Sequence, residues 1–161
     1  MDFQERLDKA IQRGRHAGLT RAQEEAQRTL SEKDLQRLHS QCRLQATEHI
    51  EQCLRQLADR FPGFRFETIV EERGWGAAIG REDLRLKPGH RRSNCFSRLE
   101  MVISPQSPAF ILELTVKGTI CNRELFNRTH FQRLAEVDLG ALTELIDLWA
   151  LQYAERYAAE R

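Results

Sequence analysis

Two histidines and two cysteines on one stretch of the chain have residue types and spacing that could bind a metal. His39 and Cys42 form one pair, and His49 and Cys53 form a second pair. On a helix all four fall within about 80° of one another, so they share one face. The two pairs are about 15 Å apart along the axis, whereas zinc takes four ligands at about 2.0 to 2.3 Å. One helix cannot close such a site, but two antiparallel copies could form an inter-subunit site.

The same four residues also have a plainer interpretation, which we favour. Cysteine serves as a small apolar residue inside cores and interfaces, and histidine often lies at the boundary of a buried face. The sequence therefore predicts neither a metal nor a cofactor.

A basic stretch, residues 84–99, contains no aspartate or glutamate and could hold phosphate. The chain lacks glycine-rich phosphate-binding patterns and zinc-finger or RNA-recognition signatures, and its net charge is only +1. A solvated loop is favoured, and no nucleic acid partner is expected. The candidate anion-binding residues are Arg85, Lys87, His90, Arg91 and Arg92.

A polar connection, residues 122–133, follows the clearest strand and is dense in hydrogen-bonding groups. Cys121 and His130 could pair as nucleophile and base, but no third group that orients the histidine can be named. Such residues serve equally to cap the last helix and to tie it to a sheet. The candidate ligand-binding residues are Trp75, Asn122, Arg123, His130 and Trp149.

The elements that position these groups begin with the strand from Phe110 to Cys121, where apolar and polar residues alternate. Similar alternation predicts strands that start at Phe64, Trp75 and Cys95, and together the four form an antiparallel meander. A last helix from Asp138 to Ala159, with Asp138 as its cap, would cover the apolar face.

The pairing of the last two predicted strands can be argued from charge. One register places Glu100 opposite Glu113, and the other places Arg98 opposite Glu113. Opposite charges across a ladder contribute about 0.2 to 1 kcal/mol and like charges destabilise, so we predict the second register. Carboxylates paired in this way stay ionised and do no acid–base chemistry.

The N-terminal segment is helical in pattern. A first helix is expected to end at Gly18, and residues 20–61 contain neither proline nor glycine. The apolar stripe changes sides at Ser31 to Asp34, which predicts a break or a change of packing partner there. A helix from Ser31 to Arg60 would be about 45 Å long, which exceeds the width of a compact core formed by the remaining residues. We therefore expect this helix to pack against a partner. The residues predicted to mediate self-association are Leu35, Leu38, Cys42, Ala46, Ile50, Cys53 and Leu57.

These patterns predict an α+β protein with N-terminal helices, a four-stranded antiparallel meander and a C-terminal helix on one sheet face. Residues 1–60 would form the helical segment and residues 61–161 the core, as one folding unit. The four cysteines show no close-spaced framework and the chain start lacks signal-peptide features, which predicts a reduced, cytoplasmic protein without a membrane span.

We expect a non-enzymatic interaction or scaffold protein, a homodimer or a partner of another protein through its N-terminal helices. The alternative is a small-ligand-binding protein or an enzyme with a pocket between the sheet and the last helix.

Overall fold

The computed structural model describes residues 2–85 and 93–160. It has the predicted α+β class: a long N-terminal helix, an antiparallel sheet and a C-terminal helix. The elements in chain order are α1 (Phe3–Arg60), β1 (Arg65–Glu71), β2 (Gly74–Arg85), β3 (Ser93–Ile103), β4 (Ile111–Ile120), β5 (Arg123–Arg133), a short 3-10 turn (Leu134–Glu136) and α2 (Leu139–Ala159).

The sheet has five strands in the order β1-β2-β3-β4-β5, so the predicted count of four is wrong. The added strand, β5, is the stretch that the sequence indicated to be a polar connection. It follows β4 through a two-residue turn at Cys121 and Asn122, whose φ angles are 46° and 66°. Positive φ at both central positions is the geometry of a type I′ turn, which closes tight hairpins because its twist matches that of the strands.

Helix α1 runs without interruption through Gly18 and through Ser31 to Asp34, so the predicted end at Gly18 is absent and the helix has no break at Ser31 to Asp34. A glycine inside a helix costs about 1 kcal/mol, which weakens a helix but does not stop it, and no proline intervenes. The position at which the apolar stripe changes sides nevertheless coincides with a change in the burial of the helix. The described side chains of residues 2–34 are exposed, and burial begins at Leu35.

The chain forms two compact units, Met1–Arg37 and Leu38–Arg161. The core lies in the second unit, where residues 38–60 of α1 and the helix α2 cover one face of the sheet. The Arg55 guanidinium lies 4.1 Å from the ring centre of Phe66 on β1. The Tyr153 hydroxyl of α2 donates to the Thr119 carbonyl of β4 at 2.8 Å. Both helices therefore contact the same sheet at different strands.

The register between β3 and β4 differs from both pairings considered above. Met101 lies opposite Val116 and Glu100 lies opposite Lys117, so Arg98 does not face Glu113. Residues 104–110 form a wide connection rather than a tight turn, and Ile111, the first residue of β4, pairs only with β5. Opposite charges nevertheless face each other across these two strands, because Lys117 is the residue opposite Glu100.

Glu100 lies within an ion-pair network on the outer sheet face. Arg73 donates to both of its carboxylate oxygens at 3.2 and 3.0 Å, and Arg98 approaches at 3.4 Å. Burial alone would raise the pKa of Glu100, but Arg73 and then Arg98 outweigh it and hold that pKa below the ordinary 4.5. The carboxylate is thus ionised and paired, as predicted for this face.

Glu100→Gln is expected to lower the free energy of unfolding at neutral pH by about 1 kcal/mol, because it removes the charge that Arg73 and Arg98 face. A pKa lowered by folding stabilises the protein above the ordinary 4.5 and loses this effect as the pH falls through the folded value. Urea unfolding across this range should therefore show a weaker acid destabilisation in the variant. Glu124→Gln, at an exposed position of β5, should change stability by less than about 0.5 kcal/mol.

Candidate functional site

Three chemically capable side chains meet where α1 and α2 lie side by side. His49 and Cys53 are one helical turn apart on α1, and Asp147 extends from α2. The Asp147 Oδ1 atom accepts from His49 Nε2 at 2.7 Å and from the Cys53 thiol at 3.1 Å. The Cys53 Sγ to His49 Nε2 distance is 3.6 Å. An i, i+4 spacing places two residues on one helix face, so only Asp147 has to come from elsewhere.

The charges in this cluster lie on the aspartate rather than on the thiol. Burial alone would raise the pKa of Asp147, but the hydrogen bonds from Cys53 and His49 outweigh it and lower that pKa. Burial, followed by the hydrogen bond to Asp147, raises the pKa of Cys53 to about 12. The thiol is therefore protonated at neutral pH while the carboxylate is ionised.

This arrangement is not that of a nucleophilic triad. In such triads the histidine lies between nucleophile and carboxylate and takes the proton of the nucleophile. Here Asp147 is the common acceptor, and the Nε2 atom of His49 is already engaged with it. Each of the three side chains instead offers an atom that can coordinate a metal ion. These atoms are one imidazole nitrogen, one sulfur and one carboxylate oxygen, and all lie within 4.8 Å of one another.

A groove of about 360 Å³ opens beside the cluster, between the two helices. Its walls are largely apolar, with Cys53 and Asp147 among the lining residues and Arg60 as a charged group. The other lining residues are Gln56, Leu57, Phe61, Ala150, Leu151 and Ala154. Two members of the cluster are thus accessible to a small molecule.

His39 and Cys42, the other two candidate metal ligands, lie in the core of the second unit. Both are buried, and burial lowers the pKa of His39 although the Ser104 backbone acts in the opposite direction. Their helix positions place them about 15 Å along the axis from His49 and Cys53. The structure therefore joins the second candidate pair, His49 and Cys53, with Asp147 and leaves the first pair apart.

The candidate ligand-binding residues are not brought together. Trp75 lies opposite Ile103 at one end of β3, whereas Asn122 bonds Phe96 near the other end, about 23 Å away along the strand. Trp149 is buried, Arg123 is exposed, and His130 contacts Gln132 within β5 at 3.3 Å. Between the sheet and α2 lie fully buried apolar side chains such as Leu114, Val116 and Ile146.

The polar groups of this region instead support the structure. The Asn122 side chain accepts from the Phe96 amide at 3.1 Å and donates to the Asn94 carbonyl, which ties the turn to β3. Asp138 caps α2 as predicted, by accepting from the Ala141 amide at 3.1 Å.

Cys121 forms a disulfide with Cys95, so the prediction that all four cysteines are reduced is wrong for these two. Their separation of 26 residues hid the pairing, which depends on the turn after β4 lying beside β3. The bonded sulfur also removes Cys121 as a nucleophile for His130. Cys42 and Cys53 are free thiols.

The candidate anion-binding residues Lys87, His90, Arg91 and Arg92, and the side chain of Arg85, lie outside the described residues. Phosphate binding at this stretch stays a prediction.

Most of the residues predicted to mediate self-association pack within the chain itself. Cys42, Ala46, Ile50 and Leu57 are buried in the core of the second unit, and Leu35, Leu38 and Cys53 are half-buried. A second copy cannot reach the four buried side chains without opening this core.

The chain matches no protein-family model, no curated protein and no solved structure. Within residues 2–85 and 93–160, no helix is both long and apolar enough to cross a membrane. Function must therefore be argued from the residues of this chain alone.

Proposed function

We propose that this chain is a non-enzymatic interaction protein that self-associates through residues 2–34, the exposed part of α1. The single observation that supports the proposal is the exposure of every described side chain in this range. Helices in water derive most of their stability from packing one face against another element. A long helix without a packed face is therefore expected to be stabilised by a partner.

The exposed segment carries an apolar stripe that a partner could cover. Phe3, Leu7 and Ile11 recur every four residues and so share one helix face. Their side chains are 73%, 44% and 44% exposed. Leu19 extends the apolar surface further along the segment, although not in the same row. Burial of such a stripe against an identical one would remove apolar area from water on both chains.

The charges of this segment favour a second copy of the chain over a nucleic acid or an anionic membrane. Acidic and basic residues are equally numerous, so the segment as a whole has no excess of positive charge. Residues 9–23 carry only basic charges and the acidic residues lie on either side of them, so the acidic parts of one copy can pair with the basic part of another. The acidic residues are Asp2, Glu5, Asp8, Glu24, Glu25, Glu32 and Asp34, and the basic residues are Arg6, Lys9, Arg13, Arg15, Arg21, Arg28 and Lys33.

Leu7→Glu is expected to reduce the mass in solution from twice the chain mass of 18.8 kDa to the single chain mass. A carboxylate buried between two helices without a partner costs several kcal/mol, enough to dissociate a moderate dimer. Light scattering coupled to size-exclusion chromatography measures this change.

Gln12→Glu is the matched control, because it adds the same charge about 140° away from the stripe on the same helix. It should leave the mass at the dimer value. Equal masses for Leu7→Glu, Gln12→Glu and the unchanged protein would contradict the proposal.

The compartment in which this association takes place stays a prediction. The cysteine pattern of the sequence alone predicts a cytoplasmic location. The Cys95–Cys121 disulfide is more typical of proteins in an oxidising compartment.

A further inference from the structure

The geometry points to a second property, independent of self-association: His49, Cys53 and Asp147 bind one divalent transition-metal cation of the zinc class. The three ligand atoms come from two helices that the core holds side by side. No fourth histidine, cysteine or acidic residue joins the group in the part of the chain that the structure describes.

The donor set selects the class of cation. Imidazole, thiolate and carboxylate together suit zinc and its borderline neighbours such as cobalt. Calcium and magnesium require oxygen ligands, usually six or more, and would not use Cys53.

The distances are close to those that a shared cation requires. With metal–ligand bonds of about 2.0 to 2.3 Å and tetrahedral angles, sulfur and nitrogen lie about 3.6 Å apart and the oxygen lies about 3.3 to 3.5 Å from each. The Cys53 to His49 distance is already 3.6 Å. Asp147 Oδ1 lies nearer, at 2.7 Å from His49 and 3.1 Å from Cys53, because it now accepts their hydrogen bonds. A retreat of about half an ångström by this half-exposed side chain would admit the cation.

Binding of the metal releases a proton from the site and leaves the bound cation neutralised by its ligands. The Cys53 thiol releases its proton to solvent, and His49 coordinates through an Nε2 atom that carries no proton, with Nδ1 as the protonated nitrogen. The thiolate and the Asp147 carboxylate then neutralise the dication. No oxidant or reductant takes part.

Three protein ligands leave one tetrahedral position for water or an added ligand. Cys53 and Asp147 line the groove of about 360 Å³, so this position can be reached from it. The apolar walls and Arg60 would suit a ligand that has an apolar body and an anionic group.

The test uses the full chain, freed of metal by a chelator and kept without reductant so that Cys95 and Cys121 stay bonded. Cobalt(II) is the probe, because a thiolate ligand produces a charge-transfer absorption band. We expect saturation at one cobalt per chain with this band present, and competition by zinc.

Cys53→Ala should abolish the band, whereas Cys42→Ala, the matched change at the other free cysteine, should retain it. His49→Gln and Asp147→Asn should each weaken cobalt binding more than about 100-fold, since even changes beyond the ligands cost 10- to 100-fold. Circular dichroism verifies that each variant is folded, and Asp147→Asn keeps the side-chain shape. Absence of saturable binding, or a band that survives Cys53→Ala, would overturn the proposal.

Discussion

Ile50→Ala is expected to lower the free energy of unfolding by about 3 to 4 kcal/mol. The Ile50 side chain is fully buried on α1, between Ala46 and Leu54, which are also fully buried and lie one turn away on either side. Truncation removes three carbon atoms from a packed core and leaves a cavity, and both effects lower stability. Urea unfolding followed by circular dichroism measures the loss.

Leu44→Ala is the matched control on the same helix, because the Leu44 side chain is 59% exposed. It should change the free energy of unfolding by less than about 0.5 kcal/mol. Comparison of Ile50→Ala with Leu44→Ala also tests whether the apolar stripe of residues 38–60 packs against the core of its own chain or against a second copy. If Ile50 faced a second copy instead of its own core, Ile50→Ala would lower the mass in solution and leave the stability of the single chain unchanged.

Loss of the Cys95–Cys121 disulfide is the second large effect. In the chain-entropy model a bond that closes a loop of this length, with a separation of 26 residues, stabilises by about 3.5 kcal/mol. The double variant Cys95→Ala/Cys121→Ala should lose about this amount, because its unfolded chain is freer. Reduction of the unchanged protein should produce a similar loss.

The double variant also supplies the control for reduction. A reductant should not destabilise it further, since the other two cysteines are already free thiols. Equal stability of the unchanged protein with and without reductant, with the thiols verified as reduced by alkylation, would contradict the expectation.

Local patterns predicted the strand from Phe110 to Cys121 and most of its buried face well, but the strand is Ile111–Ile120, and Phe110 and Cys121 lie just outside it at positive φ. Leu112, Leu114 and Val116 are fully buried, as the alternation indicated. The register depends on the shape of the connection before the strand, which local patterns do not contain, and it was therefore missed. Strand β5 was missed because it lies at the sheet edge, where Phe126 is its only buried residue and no apolar alternation develops.

Two of the three proposed metal ligands could be identified as candidates from the sequence. His49 and Cys53 follow from a spacing of four on a helix, whereas Asp147 joins them from 94 residues beyond Cys53. That contact depends on how the two helices pack on one sheet, so it cannot be predicted from the spacing of residues along the sequence. Helix α1 shows that a local signal can also mislead: Gly18 predicts a helix end, but the helix continues through both Gly14 and Gly18 because glycine weakens a helix without ending it.

The most direct test of self-association through residues 2–34 is the mass of the full chain across a dilution series, measured together with helical circular dichroism. We predict twice the 18.8 kDa chain mass at high concentration, falling to the single chain mass on dilution. The helical signal should fall in parallel, since the exposed helix loses the packing that stabilises it. A mass of 18.8 kDa at every concentration, with a constant helical signal, would contradict the account.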